Sequence, residues 1–328
     1  MKRDPRRIKG ALYGVAIGDA LGLTVEGMTA QEIQATYGQL QDIVGGGWLH
    51  KKKGEVTDDT YMTLCVAAGI AENPDSPYEG IGKRFIGWYG TNPPEIGRCC
   101  ALAIGKAKEL LEQGVLENEA WERASLYAQE QLGGRSAGNG ALMRDVYPGL
   151  FYPVEKAQRV AERQGKMTHR ALESTFACRL YSKLIGVLAS GAGKEELELL
   201  VADTAYGDSV QRLKEGKVAP SGYVVETLMC AVASVLDGET AEQAILKAVN
   251  LGGDADTIGA VAGGLAGALW GFEELPQRWV QALDPDVCAL LDQAVQAAVE
   301  HTCGENPPEK DKRATGEAKY GETLRKNS

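Results

Sequence analysis

A chain of 328 residues with 44% hydrophobic content can bury a sizeable core, and a formal charge of −10 argues against a nucleic-acid groove or an anionic membrane surface as its main partner. Seven scattered cysteines without a CxxC, and only three histidines, argue against a disulfide framework and a zinc site, so free buried thiols in a reducing cytosol are expected. The stretch Met1–Arg7 lacks the apolar core of a signal peptide, and no uncharged apolar run is long enough to span a bilayer; a cytoplasmic monomer is the expectation.

In chain order, Asp4-Pro5 reads as an N-cap followed by proline in the first helical turn. The helix it starts carries Ile8, Ala11, Leu12 and Val15, with Gly10, Gly14, Gly18 and Gly22 recurring every fourth residue. Each glycine inside a helix costs about 1 kcal/mol relative to alanine, so four in register need a packing reason. Glu26 follows that helix; alone it says nothing. A short helix is expected over Gln31–Tyr37, and Val44–Gly47 reads as a loop. After Thr57-Asp58-Asp59-Thr60, the residues Tyr61, Leu64, Cys65 and Ala68 stand at helical spacing up to Asn73-Pro74. Trp88–Cys99, with Pro93-Pro94, looks irregular.

Amphipathic helices are expected over Ala101–Gln113 and Asn118–Gln131, then a glycine-rich loop from Gly133 to Gly140. Helical patterns follow over Val154–Gln164, Ala171–Ala189 and Lys194–Ala205. Ser221-Gly222 caps a helix over Tyr223–Leu236, and Thr240 with Gln243 fits a capping box for a helix to Val249. Gly252-Gly253-Asp254-Ala255-Asp256-Thr257 then opens a long apolar segment in which Gly259, Gly263, Gly267 and Gly271 form a second stripe. The two striped helices pack either against each other or each on other core helices. No stretch alternates with the period of a strand, so the domain, residues 1–303, is read as all-α. Residues 304–328 are almost wholly polar and are expected to be disordered.

The chemistry concentrates in two oxygen-rich loops, each ahead of a helix. Thr57, Asp58, Asp59, Asp254, Asp256 and Thr257 offer four carboxylates and two hydroxyls, hard donors suited to Mg²⁺, Mn²⁺ or Ca²⁺. Either loop alone could be a helix cap with acids in the first turn, where the dipole favours them. Both together point to one two-metal centre assembled from distant parts of the chain. Without metal, such crowding should raise aspartate pKa values. The backbone N–H groups of Ser136–Gly140 could cradle phosphate, and His169 reads either as a helix-cap histidine or as a site residue.

Taken together, GVAIGDALGLTVE from Gly14, GEVTDDT from Gly54, GNGALMR from Gly138, Thr168-His169 and NLGGDADTIG from Asn250 resemble the ADP-ribosylglycohydrolases, which include the dinitrogenase reductase-activating glycohydrolases of bacteria. The motifs agree in order and spacing from about Ile8 to Gly271. The resemblance implies a compact single-domain orthogonal helical bundle, a binuclear centre of two Mg²⁺ or Mn²⁺ ions, and hydrolysis of the bond joining ADP-ribose to a modified protein side chain or a small conjugate. It implies Thr57, Asp58, Asp59, Asp254, Asp256 and Thr257 as metal ligands, with Glu26, Asp58 and Asp256 in catalysis. Ser136, Gly138, Asn139, Gly140, His169 and Tyr223 are implied as ADP-ribose contacts. Asp145-Val146-Tyr147-Pro148, after Met143-Arg144, is more polar than the family's usual small apolar run. A catalytically silent ADP-ribose binder, or a hydrolase of another nucleotide-linked substrate, stands as the alternative.

Overall fold

Asp4 starts the first helix as the sequence predicts: its side chain accepts the Arg6 N–H at 2.9 Å, and Pro5 fills a position that needs no N–H. The structure is a computed structural model and describes residues 2–303. Among these the chain forms sixteen α-helices and no strand, only isolated β-bridges. In order they are α1 (Pro5–Gly22), α2 (Ala30–Tyr37), α3 (Asp58–Glu72), α4 (Tyr78–Tyr89), α5 (Arg98–Glu112), α6 (Glu117–Gln131), α7 (Val146–Phe151) and α8 (Val154–Lys166). Then follow α9 (Leu172–Ala189), α10 (Lys194–Ala202), α11 (Ser209–Lys214), α12 (Val224–Asp237), α13 (Ala241–Val249), α14 (Ala255–Trp270), α15 (Gln277–Val280) and α16 (Pro285–Cys303). The all-α, single-domain reading holds.

The centre of the molecule is the pair α1 and α14. Gly10 to Gly22 of α1 and Ala255 to Leu269 of α14 are buried without a break, as expected of helices apolar on every side. Of the two packings left open by the sequence, the glycine stripes take the first and face each other. A Cβ added at Gly14 would lie 2.0 Å from the Gly263 carbonyl oxygen, and one at Gly18 would lie 1.9 Å from that of Gly259. Gly10 meets Gly267 and Gly22 meets Ala255 in the same way, so the helices run antiparallel. This brings the C-terminus of α1 beside the N-terminus of α14, and so delivers the chain after α1 to the Gly252–Thr257 loop.

The other helices wrap this pair. α3, α9 and α16 pack on α1, and α9, α12 and α13 pack on α14. Two substantial helices were not anticipated. α4 carries Gly80, Gly82 and Gly87, which blur its period, yet Gly82 is required because a Cβ there would meet the Trp121 indole nitrogen at 2.6 Å. α16 buries Val287, Leu290, Leu291, Ala294 and Ala298, a helical spacing that is plain once seen. Between α4 and α5, residues 90–97 are irregular, a shorter stretch than the expected Trp88–Cys99. α10 stops at Ala202 rather than Ala205.

All seven cysteines are free thiols, and five are buried. No helix among the described residues is long and apolar enough to cross a membrane. The tail expected to be disordered, 304–328, lies outside the described residues.

Candidate active site

The Thr57 loop is set from below by a residue the sequence reading passed over. Asp19, fully buried on α1, accepts the Thr57 N–H with both oxygens at 3.1 Å. It also accepts the Thr60 N–H at 3.1 Å and the Thr60 hydroxyl at 2.5 Å. A carboxylate from a neighbouring helix thus joins the Thr57 cap, whose own hydroxyl oxygen accepts the Asp59 N–H at 3.4 Å, in satisfying the N–H groups at the start of α3. A single acid in the otherwise uncharged stretch Gly10–Gly22 was the signal that would have found it. Burial pushes Asp19 up to about 6, against those four hydrogen bonds, which pull it down.

The Asp254 loop owes its path to two glycines. Gly252 and Gly253 take φ of +73° and +64°, and a Cβ at Gly253 would lie 1.7 Å from the Pro220 carbonyl oxygen. Around them the Gly27 N–H donates to the Gly253 carbonyl at 2.7 Å, and the Gly253 N–H donates to that of Met28 at 2.8 Å. The segment carrying Glu26 is therefore stitched by backbone to the segment carrying Asp254 and Asp256.

The two oxygen-rich loops meet. The Thr257 hydroxyl donates to one Asp59 oxygen at 3.3 Å, and the Thr57 hydroxyl donates to the same atom at 3.2 Å. Asp58 turns the other way and accepts the Gly97 N–H at 3.4 Å. Glu95, from the irregular segment before α5, enters the cluster; oxygens of Glu26, Glu95 and Asp256 lie within 4.8 Å of one another. Sequence reasoning missed Glu95, since Pro94-Glu95-Ile96 carries no motif. The Trp48 indole donates to Glu26 at 2.5 Å.

A cleft of about 790 Å³ is lined by Glu26, Asp58, Asp59, Glu95, Asp254, Asp256 and Thr257, and also by Gly138, Asn139, Gly140 and His169. Asn139 ties the two groups: its amide donates to Asp254 at 2.7 Å and to the Thr227 hydroxyl at 3.0 Å. Three of the expected residues stand off the lining. Thr57 sits beneath Asp59, and Ser136 is buried with its hydroxyl donating to Gln129 at 3.4 Å. Tyr223 is exposed at the start of α12, where it pairs by backbone with Gly138.

Electrostatically the carboxylate cluster is frustrated. Burial first, then the neighbouring acids, raise Asp58 to about 7 and Glu95 to about 9. The same causes hold Asp59 and Asp256 well above the usual carboxylate range, and burial raises Glu26. No lysine or arginine among the described residues forms an ion pair with any of them, and Asp59 Oδ1 and Glu95 Oε2 are buried without a hydrogen-bond partner. Uncompensated, crowded oxygen donors of this kind fit a hard divalent cation.

A family model described as ADP-ribosylglycohydrolase matches residues 1–307. The chain belongs to the ADP-ribosylglycohydrolase family. It is an enzyme of the class that hydrolyses glycosyl bonds to ADP-ribose. It is 32% identical over 298 residues to the ADP-ribosyl-[dinitrogen reductase] glycohydrolase of Rhodospirillum rubrum, covering 89% of this chain and 95% of that one. An ADP-ribosylarginine hydrolase of Pseudomonas putida is 32% identical over 286 residues, covering 84% of this chain and 73% of the relative. A solved structure titled ADP-ribosylglycohydrolase-related protein complex superposes with a TM-score of 0.72 at 30% identity, covering 91% of this chain and 98% of the other. The motifs from Gly14 to Gly259 thus led to the right family.

Proposed function

We propose that this enzyme is a metal-dependent hydrolase that cleaves the bond between the anomeric carbon of ADP-ribose and an acceptor side chain of a modified protein, releasing ADP-ribose. The observation that carries this reading is the single cleft shared by the uncompensated carboxylate cluster and the Gly138–Gly140 and His169 group. Thr57, Asp58, Asp59, Asp254, Asp256 and Thr257 would hold two Mg²⁺ or Mn²⁺ ions. Bound there, the ions would orient the ribose hydroxyls and lower the pKa of the attacking water.

The protein groups divide the remaining work. Asp19 and Asn139 hold the Thr57 and Asp254 loops in position through the hydrogen bonds given above. Glu26, steadied by Trp48, takes a proton from the attacking water as the bond to the acceptor lengthens through an oxocarbenium-like state. Glu95, with an oxygen within 4.8 Å of one of Glu26, is placed to pass a proton to the leaving group. Gly138, Asn139, Gly140 and His169 take the ADP portion; Ser136 contributes through its backbone, and Tyr223 flanks the entrance. The carboxyl oxygens of Glu26 and Glu95 offer hydrogen-bond acceptors to a group that carries only donors, such as arginine, in keeping with the arginine conjugate named for the Pseudomonas putida relative. The free thiols fit a reducing, cytoplasmic setting.

Incubation with Mg²⁺ and a panel of arginine, serine and acetyl-ester conjugates of ADP-ribose tests the reading. Release of free ADP-ribose, lost on chelation, is expected. ADP-ribose binding without release from any conjugate would instead make the protein a silent binder.

A further inference from the structure

Behind the glycine loop lies a buried cation that takes no part in the cleft itself. Arg144 is fully buried, and its guanidinium donates to the Gly140 carbonyl at 2.8 Å, to Gln164 Oε1 at 2.8 Å and to the Gln164 carbonyl at 3.1 Å. Its Nη2 also donates to the Thr168 hydroxyl oxygen at 2.8 Å. Arginine has only donors, so Thr168 must accept here, and its single hydroxyl proton is left to point elsewhere.

Three acceptors are in range, one of them the Cys100 sulfur, a weak acceptor that already takes an Arg144 N–H at 3.5 Å. The Gly165 carbonyl is 3.5 Å away, and His169 Nδ1 is 2.8 Å away. The Gly165 carbonyl already accepts the N–H groups of Thr168 at 3.1 Å and His169 at 2.9 Å, which occupies both of its lone pairs. Distance and acceptor capacity agree, and polarisation of the hydroxyl by the guanidinium strengthens it as a donor towards Nδ1. His169 Nδ1 is then the acceptor and its proton sits on Nε2. That nitrogen faces Gly138 and Gly140, where an added Cβ would lie 3.4 Å and 3.5 Å from it, and it meets no acceptor among the described residues.

We propose that Arg144, acting through Thr168, fixes His169 as the Nε2–H tautomer, so that the cleft presents a neutral N–H donor for an anionic ligand oxygen. Resting on the function proposed above, the natural acceptor is a diphosphate oxygen of ADP-ribose. Burial and the nearby Arg144 charge also push His169 down to about 3, so the ring stays neutral at physiological pH. A neutral donor is useful in a cleft whose other wall gathers cations, because it binds phosphate without repelling them. Arg144 and Thr168 are positioning residues here; neither lines the cleft.

Imidazole ¹⁵N spectra of the ligand-free protein read the tautomer directly, and the chain's three histidines are assigned with His50→Gln and His301→Gln. His169 should show the Nε2–H pattern, unchanged between about pH 5 and 8. Thr168→Val should mix the tautomers and weaken ADP-ribose binding about tenfold, while Thr168→Ser should restore both. An Nδ1–H or imidazolium spectrum in the wild type overturns the proposal, and that spectrum decides it even if Thr168→Val does not fold. Mixed tautomers with unchanged ADP-ribose affinity would overturn the donor's part in binding. The wild-type spectrum needs no ligand, so an Nε2–H signal in a protein that releases no ADP-ribose would sink the proposed reaction and leave the tautomer assignment standing.

Discussion

Thr257 donates its hydroxyl to Asp59 at 3.3 Å across 198 residues of sequence, and this one contact joins the two acidic loops into a single site. The same Asp59 oxygen takes the Thr57 hydroxyl, which leaves Oδ1 buried with no partner. Both threonines therefore spend their protons on one carboxylate oxygen and present only lone pairs to anything else.

Metal should reverse the order of stability of two proteins. Without it, Asp256→Asn removes a carboxyl whose ionisation is opposed first by burial and then by Asp254 and Asp59, and should be more stable than the wild type by about 1 kcal/mol or more. With Mg²⁺ at a hundredfold excess over Kd, the wild type should gain about 2.7 kcal/mol and the variant far less. Melting curves in chelator and in Mg²⁺ check this, and equal Mg²⁺ responses in the two proteins would remove Asp256 from the metal set.

Glu26→Gln keeps the shape and the Trp48 contact but cannot accept a proton. Turnover should fall by roughly 10²–10⁴, with metal content and ADP-ribose affinity much less affected. Glu95→Gln should behave alike if it supplies the proton to the leaving group. Normal kcat in either variant would release that residue from proton transfer, and lost metal alongside lost turnover would make it a ligand.

The acid limb of stability should carry the signature of His169. Its folded-state pKa of about 3 lies below its ordinary 6.5, so between those values the unfolded chain binds the extra proton. Stability should accordingly fall as pH is lowered through this window, by up to about 1.4 kcal/mol per unit from this residue alone. His169→Gln should flatten the limb by that slope. Parallel wild-type and variant curves from pH 6 to 4 would mean the ring is protonated in the fold.

At the helix crossing, Gly18→Ala places a methyl 1.9 Å from the Gly259 carbonyl oxygen, and backbone on both sides leaves nothing flexible to yield. We expect destabilisation of about 3 kcal/mol or more, against the few tenths to 1 kcal/mol gain that alanine brings to an ordinary helix. Gly87→Ala in α4, where an added Cβ meets nothing within 4 Å, should show the ordinary gain. Chemical denaturation of both variants separates the two cases.

The stripes and the acidic loops were legible because each breaks a local rule. Gly14 and Gly263 sit where helices disfavour glycine, and Asp254 and Asp256 put charge at the mouth of an apolar segment. Glu95 was not legible, since it joins Glu26 and Asp256 only through the path of residues 90–97, which no periodicity encodes. Asp19 stood in plain view, but the glycines around it drew the reading towards packing and away from polar function. Whether His169 served a helix end or the cleft was left open by the sequence; its ring lines the cleft, with Nδ1 on the Thr168 hydroxyl and Nε2 towards Gly138 and Gly140.

The antiparallel crossing of α1 and α14 also sets a schedule. At about 5–20 residues per second of synthesis, α1 leaves the ribosome roughly 12–50 s before α14 exists to cover it. Through that interval an apolar helix weakened by four glycines has no partner of its own shape, and the closure it awaits spans most of the chain. Folding of this domain is therefore a late, long-range event, slow by topology and dependent on whatever shields α1 until then.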